Sequence, residues 1–140
     1  GVVLSQTAVL RYEAAIAVAS AASKDDVIVG WLPLYHDMGL TNQLLRPLSV
    51  GHASVMMSPS AWLGAPERLF LAVHRHRGTV TWMPNFAFAY CARRVRDEQI
   101  AGVDLSSWRL LGNASEPVFL RELEEFARRF APFGLRREAL

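Results

Sequence analysis

The sequence predicts an α/β fold, a mostly parallel sheet with helices on both faces. Two observations carry this. Short apolar runs rich in β-branched residues alternate strictly with stretches of helical character along the whole chain. The first of those runs is almost free of polar residues, as a strand covered on both faces is.

The elements follow in order. The Ser5 hydroxyl can accept from unpaired first-turn amides, which predicts a helix over about Gln6 to Ala22. Asp25 and Asp26 lead into a strand, Val27 to Leu32, that Pro33 ends. Met38 to Arg46 reads as a helix that Pro47 bends or stops. Ala53 to Met57 is a second strand after Gly51. Pro66 suits a first helical turn, and Glu67 to His76 is amphipathic. Gly78 stops that helix, and Thr79 to Met83 is the third strand. Pro84 opens a helix through about Arg96, Trp108 to Leu111 is the fourth strand, and Pro117 begins a last helix through about Phe130. Pro132 and Gly134 close it.

With 140 residues, 51% of them hydrophobic, the chain can bury a real core, and a charged fraction of 20% argues against disorder. Fifteen Lys and Arg against 13 Asp and Glu give a net charge of +2, too mild for a nucleic-acid protein. Arg93, Arg94 and Arg96 read as snorkelling side chains on a helix without interleaved aromatics, and no nucleic-acid partner is expected. The lone Cys91 excludes an internal disulfide framework or a zinc cluster of several thiolates, and a reducing, cytoplasmic setting fits. Pro47 to Pro66 is the longest run without charge, but its prolines argue against a membrane span. Ala14 to Ser23 lacks the basic flank of a secretory leader. Gly1 stands where a methionine would, so the 140 residues are expected to be a piece of something longer.

In open parallel sheets, ligands bind beyond the carboxyl ends of the strands. That directs attention to Leu34–Gly39, Ser58–Leu63, Pro84–Phe88 and Gly112–Pro117. His36 can meet a carboxylate or phosphate there as a cation or neutral donor, or it can simply cap the next helix. Asp37 beside it suits a helix cap better than a base. Phe86 and Phe88 can line an apolar pocket with Asn85 as a polar anchor, or they can be core aromatics. The small residues Gly112 to Ser115 would let a planar base approach the main chain, although many strand–helix turns share this composition. No Gly-x-Ser-x-Gly elbow, HExxH helix or complete phosphate loop is present, and no metal ligand set is expected.

Three of these segments together resemble the adenylate-forming, AMP-binding enzyme superfamily. Trp31-Leu-Pro-Leu-Tyr-His-Asp-Met-Gly-Leu40 resembles its aromatic-histidine motif, most closely as it reads in the fatty acyl-AMP ligase branch. Pro84-Asn-Phe-Ala-Phe88, with Cys91 and Arg93-Arg94, resembles that branch's acyl-pocket helix. Leu105 to Arg109, then Asn113 and Glu116-Pro117-Val118, resembles the adenine-loop region. Phe130 to Leu135, with Glu138-Ala139, resembles the stretch before the family's magnesium and nucleotide motif, and Gly1 to Ser5 the strand after its phosphate loop.

The resemblance implies ATP-dependent activation of a fatty acid to acyl-adenylate, followed by transfer to an acyl carrier protein in lipid or polyketide biosynthesis. It implies His36 as catalytic residue, orienting the carboxylate and α-phosphate. Tyr35, Met38, Asn85 and Phe86 would bind the acid, and Asn113, Ala114, Ser115, Glu116 and Pro117 the nucleotide. ATP and Mg²⁺ would serve the full-length enzyme, with the Mg²⁺ ligands outside this chain. Residues 1–140 would then be a fragment of the adenylation domain, truncated at both ends and inactive alone. Coenzyme A as acceptor, and a non-catalytic adenylation-like module or degenerate remnant, are the alternatives. Ala114 stands where the family carries a glycine, so a positive φ there would strain it. Ala89 replaces a common aspartate and Gln6 a common histidine.

Overall fold

Four parallel strands form one sheet in the order β2-β1-β3-β4, with β1 at Val27–Gly30, β2 at Ala53–Met56, β3 at Val80–Met83 and β4 at Leu110–Asn113. The computed structural model describes residues 2 to 140. The register pairs Val29 with Val55, Ile28 with Val80, and Trp82 with Gly112. The chain steps from β1 outward to β2, then crosses back over β1 to β3 and on to β4. Right-handed crossovers in opposite directions place their helices on opposite faces. The α/β arrangement read from the sequence is the one observed.

On one face lie α1 (Gln6–Ala19) and a helical run from Asp37 to Val50. The Gln43 side chain lies against Gly30 on that face, and Arg46 lies over Trp82, 5.7 Å from its ring centre. On the other lie α5 (Glu67–His76), α6 (Asn85–Arg94) and α7 (Leu120–Phe130). Their aromatic side chains make the main core with Val29, Met83 and Leu111. Phe70 and Phe130 have ring centres 4.4 Å apart, and Phe88 meets Phe126 edge-on at 5.2 Å.

Several boundaries differ from expectation, each for a local reason. Ser5 caps α1 through Ala8 N–H at 3.1 Å as expected, but the helix ends at Ala19, where the Ser20 amide bonds Ile16 and Ala21 turns to a positive φ of 47°. Pro47 does not stop its helix. The run is α2 (Asp37–Leu40), then a π-helical turn (Thr41–Leu45), then α3 (Arg46–Val50). Pro47 has no N–H for the Gln43 carbonyl four residues back, and the Ser54 hydroxyl from β2 donates to it at 2.9 Å instead. Widening to a π turn relieves the clash between the proline ring and that carbonyl.

An unexpected helix, α4 (Pro59–Gly64), follows β2; Ser58 caps it through Ala61 N–H and Pro59 occupies its first turn. The fourth strand lies two residues later than read. Trp108 precedes it, fully buried, with its indole N–H donating to Thr81 Oγ1 at 2.9 Å. Helix α7 begins at Leu120 rather than Pro117, leaving Ala114–Phe119 as an irregular connection over the sheet edge. Gly1 lies outside the described residues, and Val2–Leu4 is exposed and unpaired with the sheet.

A polar clamp closes the amino ends of β1, β3 and β4. Asp26 receives hydrogen bonds from Arg109 Nε at 2.7 Å, Arg109 Nη2 at 2.5 Å, Thr79 Oγ1 at 2.7 Å and Ser23 N–H at 2.8 Å. Arg109 Nη1 also donates to Ser20 O, tying the end of α1 to the start of β4. Burial pushes the Asp26 carboxyl up, but the hydrogen bonds from Arg109, Thr79 and Ser23 outweigh it and bring it down to about 2.

Candidate active site

The strand order reverses between β1 and β3, so a crevice opens beyond their carboxyl ends. Strand β1 exits through Trp31, whose ring stacks on Trp62 at 3.8 Å with Phe86 edge-on to both. The chain then turns, with His36 N–H bonded to Pro33 O, and enters α2. Gly39 permits that tight return, since a Cβ there would lie 2.1 Å from Pro33 O.

His36 is the N-cap of α2, its Nδ1 accepting from Met38 N–H at 3.2 Å. Asp37 Oδ1 accepts from the same amide at 2.7 Å and lies 2.9 Å from His36 Nδ1. Both contacts of His36 run through Nδ1, which leaves Nε2 of the half-exposed ring without a hydrogen bond to any described residue. The capping role considered for Asp37 is thus shared, and His36 occupies the cap position itself. Met38 is buried, and Ser115 Oγ donates to its sulfur at 3.1 Å. Tyr35 stands on the rim, 91% exposed, and makes no hydrogen bond.

From β3 the chain passes Pro84 into α6. Asn85, 4% exposed, spends its carbonyl oxygen on two donors: Asn113 Nδ2 at 3.0 Å and Phe119 N–H at 3.1 Å. Glu116 Oε1 accepts from Phe86 N–H at 2.5 Å, placing a carboxylate on the first turn of α6. The loop after β4 is therefore fastened to the start of α6 at both ends. Phe86 is half exposed at the crevice, whereas Phe88 is core. Asn113 Oδ1 is buried with no donor. Ser115, not Ala114, carries the left-handed backbone, φ 74°, so the strain considered for Ala114 does not arise. Pro117 is exposed and touches no other site residue through a hydrogen bond.

The structure thus brings His36, Met38, Asn85, Phe86 and residues 113–116 to one sheet edge and leaves Tyr35 at its margin. It also shows side chains that sequence reasoning missed. A cavity of about 670 Å³ lies between α1 and the Asp37–Val50 run, lined by Ala8, Tyr12, Met38, Arg46, Trp82 and Ser115 among others. Of its lining residues, Arg46 donates from Nε to Glu13 Oε2, which lies outside the lining, at 3.1 Å and from Nη1 to Asn42 Oδ1 at 2.5 Å, all three side chains buried. Burial pushes the Glu13 carboxyl up, partly offset by Arg46. The available signal was a single acid and a single arginine, each set in an otherwise apolar helical stretch. Among the described residues, no three His, Cys, Asp or Glu side chains converge as a metal site requires. Cys91 is inert, its thiol pushed up to about 12 by burial.

Fold and crevice together define a doubly wound α/β protein with its candidate ligand site at the topological switch point. The chain belongs to the AMP-binding enzyme family, whose model matches residues 1–135. It is 39% identical over 140 residues, all of this chain and 24% of the relative, to the medium-chain-fatty-acid–[acyl-carrier-protein] ligase JamA of Moorena producens. It is 40% identical over 112 residues, 80% of this chain and 18% of the relative, to 4-hydroxyphenylalkanoate adenylyltransferase of Mycobacterium marinum. Among solved structures, a fatty acyl-adenylate ligase from L. pneumophila, in complex with acyl adenylate and pyrophosphate, superposes with a TM-score of 0.91 at 37% identity, over 94% of this chain and 23% of that one. The chain spans about a quarter or less of the length of these proteins. No helix among the described residues is long and apolar enough to cross a membrane.

Proposed function

We propose that this chain carries part of the site in which a fatty acid and ATP form acyl-adenylate and pyrophosphate, the acyl group then passing to an acyl carrier protein. The observation that carries this reading is the Ser115–Met38 contact, 3.1 Å, which joins the histidine loop to the loop after β4. It joins the loop proposed to hold the carboxylate to the loop proposed to hold the nucleotide.

In the reaction a carboxylate oxygen attacks the α-phosphorus and the bond to pyrophosphate breaks. A carboxylate is a poor acyl donor, so the protein's contribution is positioning and charge stabilisation. His36 presents Nε2 to the carboxylate and α-phosphate, its ring fixed through Nδ1. Tyr35, Met38 and Phe86 border the acid. Asn113 to Pro117 hold adenine. Asn85 supports both sides by fastening the loop to α6. Mg²⁺ would be held by residues outside this chain, and the 140 residues alone are proposed not to turn over.

The test is ATP–pyrophosphate exchange with medium-chain acids, using the chain itself and the protein that contains it. The chain alone should be silent. In the containing protein, His36→Ala should lower exchange about 100-fold or more, as loss of one preorganised donor does. Exchange unchanged by that substitution would remove His36 from the scheme. Offering both carrier protein and coenzyme A then decides the acceptor.

A further inference from the structure

Helix α6 starts on a residue that cannot cap it. Its N-cap is Pro84, whose side chain has no oxygen, so the first-turn amides need an acceptor from elsewhere. Glu116, thirty residues on, supplies one: its Oε1 accepts from Phe86 N–H at 2.5 Å. We infer that Glu116 is a positioning residue that caps α6 from the loop after β4, and that through this cap ATP and the acid strengthen each other's binding. The inference rests on the proposed fatty-acid activation.

The carboxylate of Glu116 is spent on the helix, not on a nucleotide. A negative charge is favoured at a helix amino end. Ser115, immediately before it, takes a left-handed φ of 74°, so the turn that delivers Glu116 is built into the same loop.

The amide it holds belongs to a residue that borders the acid. The Phe86 ring lies edge-on to Trp31 at 6.3 Å and to Trp62 at 6.2 Å. Those two rings stack at 3.8 Å with 4° between their planes, and both are buried. They form a fixed wall on one side of Phe86, which is itself 48% exposed at the crevice. The backbone of residue 86 sets where the ring stands against that wall, and Glu116 holds that backbone.

The two fasteners between the loop and α6 differ in kind. Asn85 is buried and serves two donors of the loop, which makes it part of the fold. Glu116 is exposed, where water can replace its hydrogen bond. A nucleotide that orders residues 113–117 keeps Glu116 on α6 and Phe86 in place for the acid. An acid packed against Phe86 keeps the loop in place for the nucleotide. Coupling between two binding sites is reciprocal.

Titration calorimetry on the containing protein tests this, with decanoate and an ATP analogue bearing a methylene bridge between the α- and β-phosphorus, which cannot release pyrophosphate. The dissociation constant of each ligand is read with and without the other, and the ratio is the coupling factor. In Glu116→Ala that factor should fall about fivefold or more, equally in both directions. Glu116→Gln keeps an acceptor oxygen for the Phe86 amide and should retain most of it. Repulsion between the two anionic ligands is common to all the proteins compared and cancels. In ATP–pyrophosphate exchange at saturating ATP, Glu116→Ala should raise KM for the acid more than it lowers kcat. Near-UV circular dichroism confirms that the variants are folded. An unchanged coupling factor in Glu116→Ala overturns the inference. So does a loss confined to the affinity for the analogue measured without acid, which would make Glu116 a direct nucleotide contact, and so does a Glu116→Gln variant no better than Glu116→Ala. Any of these with exchange intact in the unaltered protein strikes the inference alone. If the unaltered containing protein supports no exchange, the proposed function falls and the inference with it.

Discussion

Asn85 shows how a buried polar side chain can hold a loop in place. Its carbonyl oxygen closes two hydrogen bonds to the 113–119 loop, from an environment only 4% exposed. Asn85→Leu strands the Phe119 amide and the Asn113 side chain, so urea unfolding should show a loss of about 1–3 kcal/mol. Asn85→Asp keeps an acceptor and should recover part of that loss. Ser115 makes the opposite case. A left-handed backbone costs a residue with a Cβ about 1 kcal/mol, so Ser115→Gly should raise the melting temperature despite losing the contact with Met38. A lower melting temperature would mean that the hydroxyl–sulfur contact outweighs the backbone term. Sequence reading picked out the right loop but placed the strain one residue early. Which residue of a small-residue turn takes the positive φ depends on where the strand ends, and Trp108, drawn into the core, delays that end.

At the scale of elements, side chains that satisfy backbone or charge decide the boundaries. Residues 37–50 stay helical through Pro47 because Ser54 serves the Gln43 carbonyl from the neighbouring strand. Ser54→Ala should therefore cost about 1 kcal/mol alone, and close to nothing in a Pro47→Ala background, where the restored amide can serve the same carbonyl. A double-mutant cycle by chemical denaturation reads the coupling, and additive losses would refute it. The sequence showed the proline; the rescuing hydroxyl, eleven residues beyond the Gln43 carbonyl and on another element, is visible only once the sheet is paired. The same holds for α4, whose Ser58-Pro59 start was present in the sequence but whose brevity hides any periodicity. The Asp26–Arg109 clamp carries a pH prediction. A carboxyl brought from 3.8 to about 2 in the folded chain contributes about 2 kcal/mol at neutral pH. The contribution is complete above about pH 4 and falls away as pH drops towards 2. Stability measured between pH 6 and 2 should decline less steeply in Asp26→Asn, which has already lost it.

Across the whole molecule, the parallel sheet and the two helical layers were legible because they follow from alternation, and alternation is a property of sequence; the strand order, which alternation does not fix, was not. The balance between layers was not. One face of the sheet carries an aromatic core sealed by α5, α6 and α7, whereas α1 on the other face buries Glu13 and leaves Leu10 and Val18 at 63% and 83% exposure. Its apolar residues lie all round the helix instead of along one stripe, a composition suited to burial on every side. Val2, Val3 and Leu4 extend the same exposed apolar surface. Surface of this kind drives association. The chain should therefore elute from size-exclusion columns with an apparent mass that rises with concentration. Leu10→Lys with Val18→Glu, both at exposed positions of α1, should return it to a concentration-independent monomer without changing its circular dichroism. A monomer at all concentrations in the unaltered chain would refute this reading of the exposed surface.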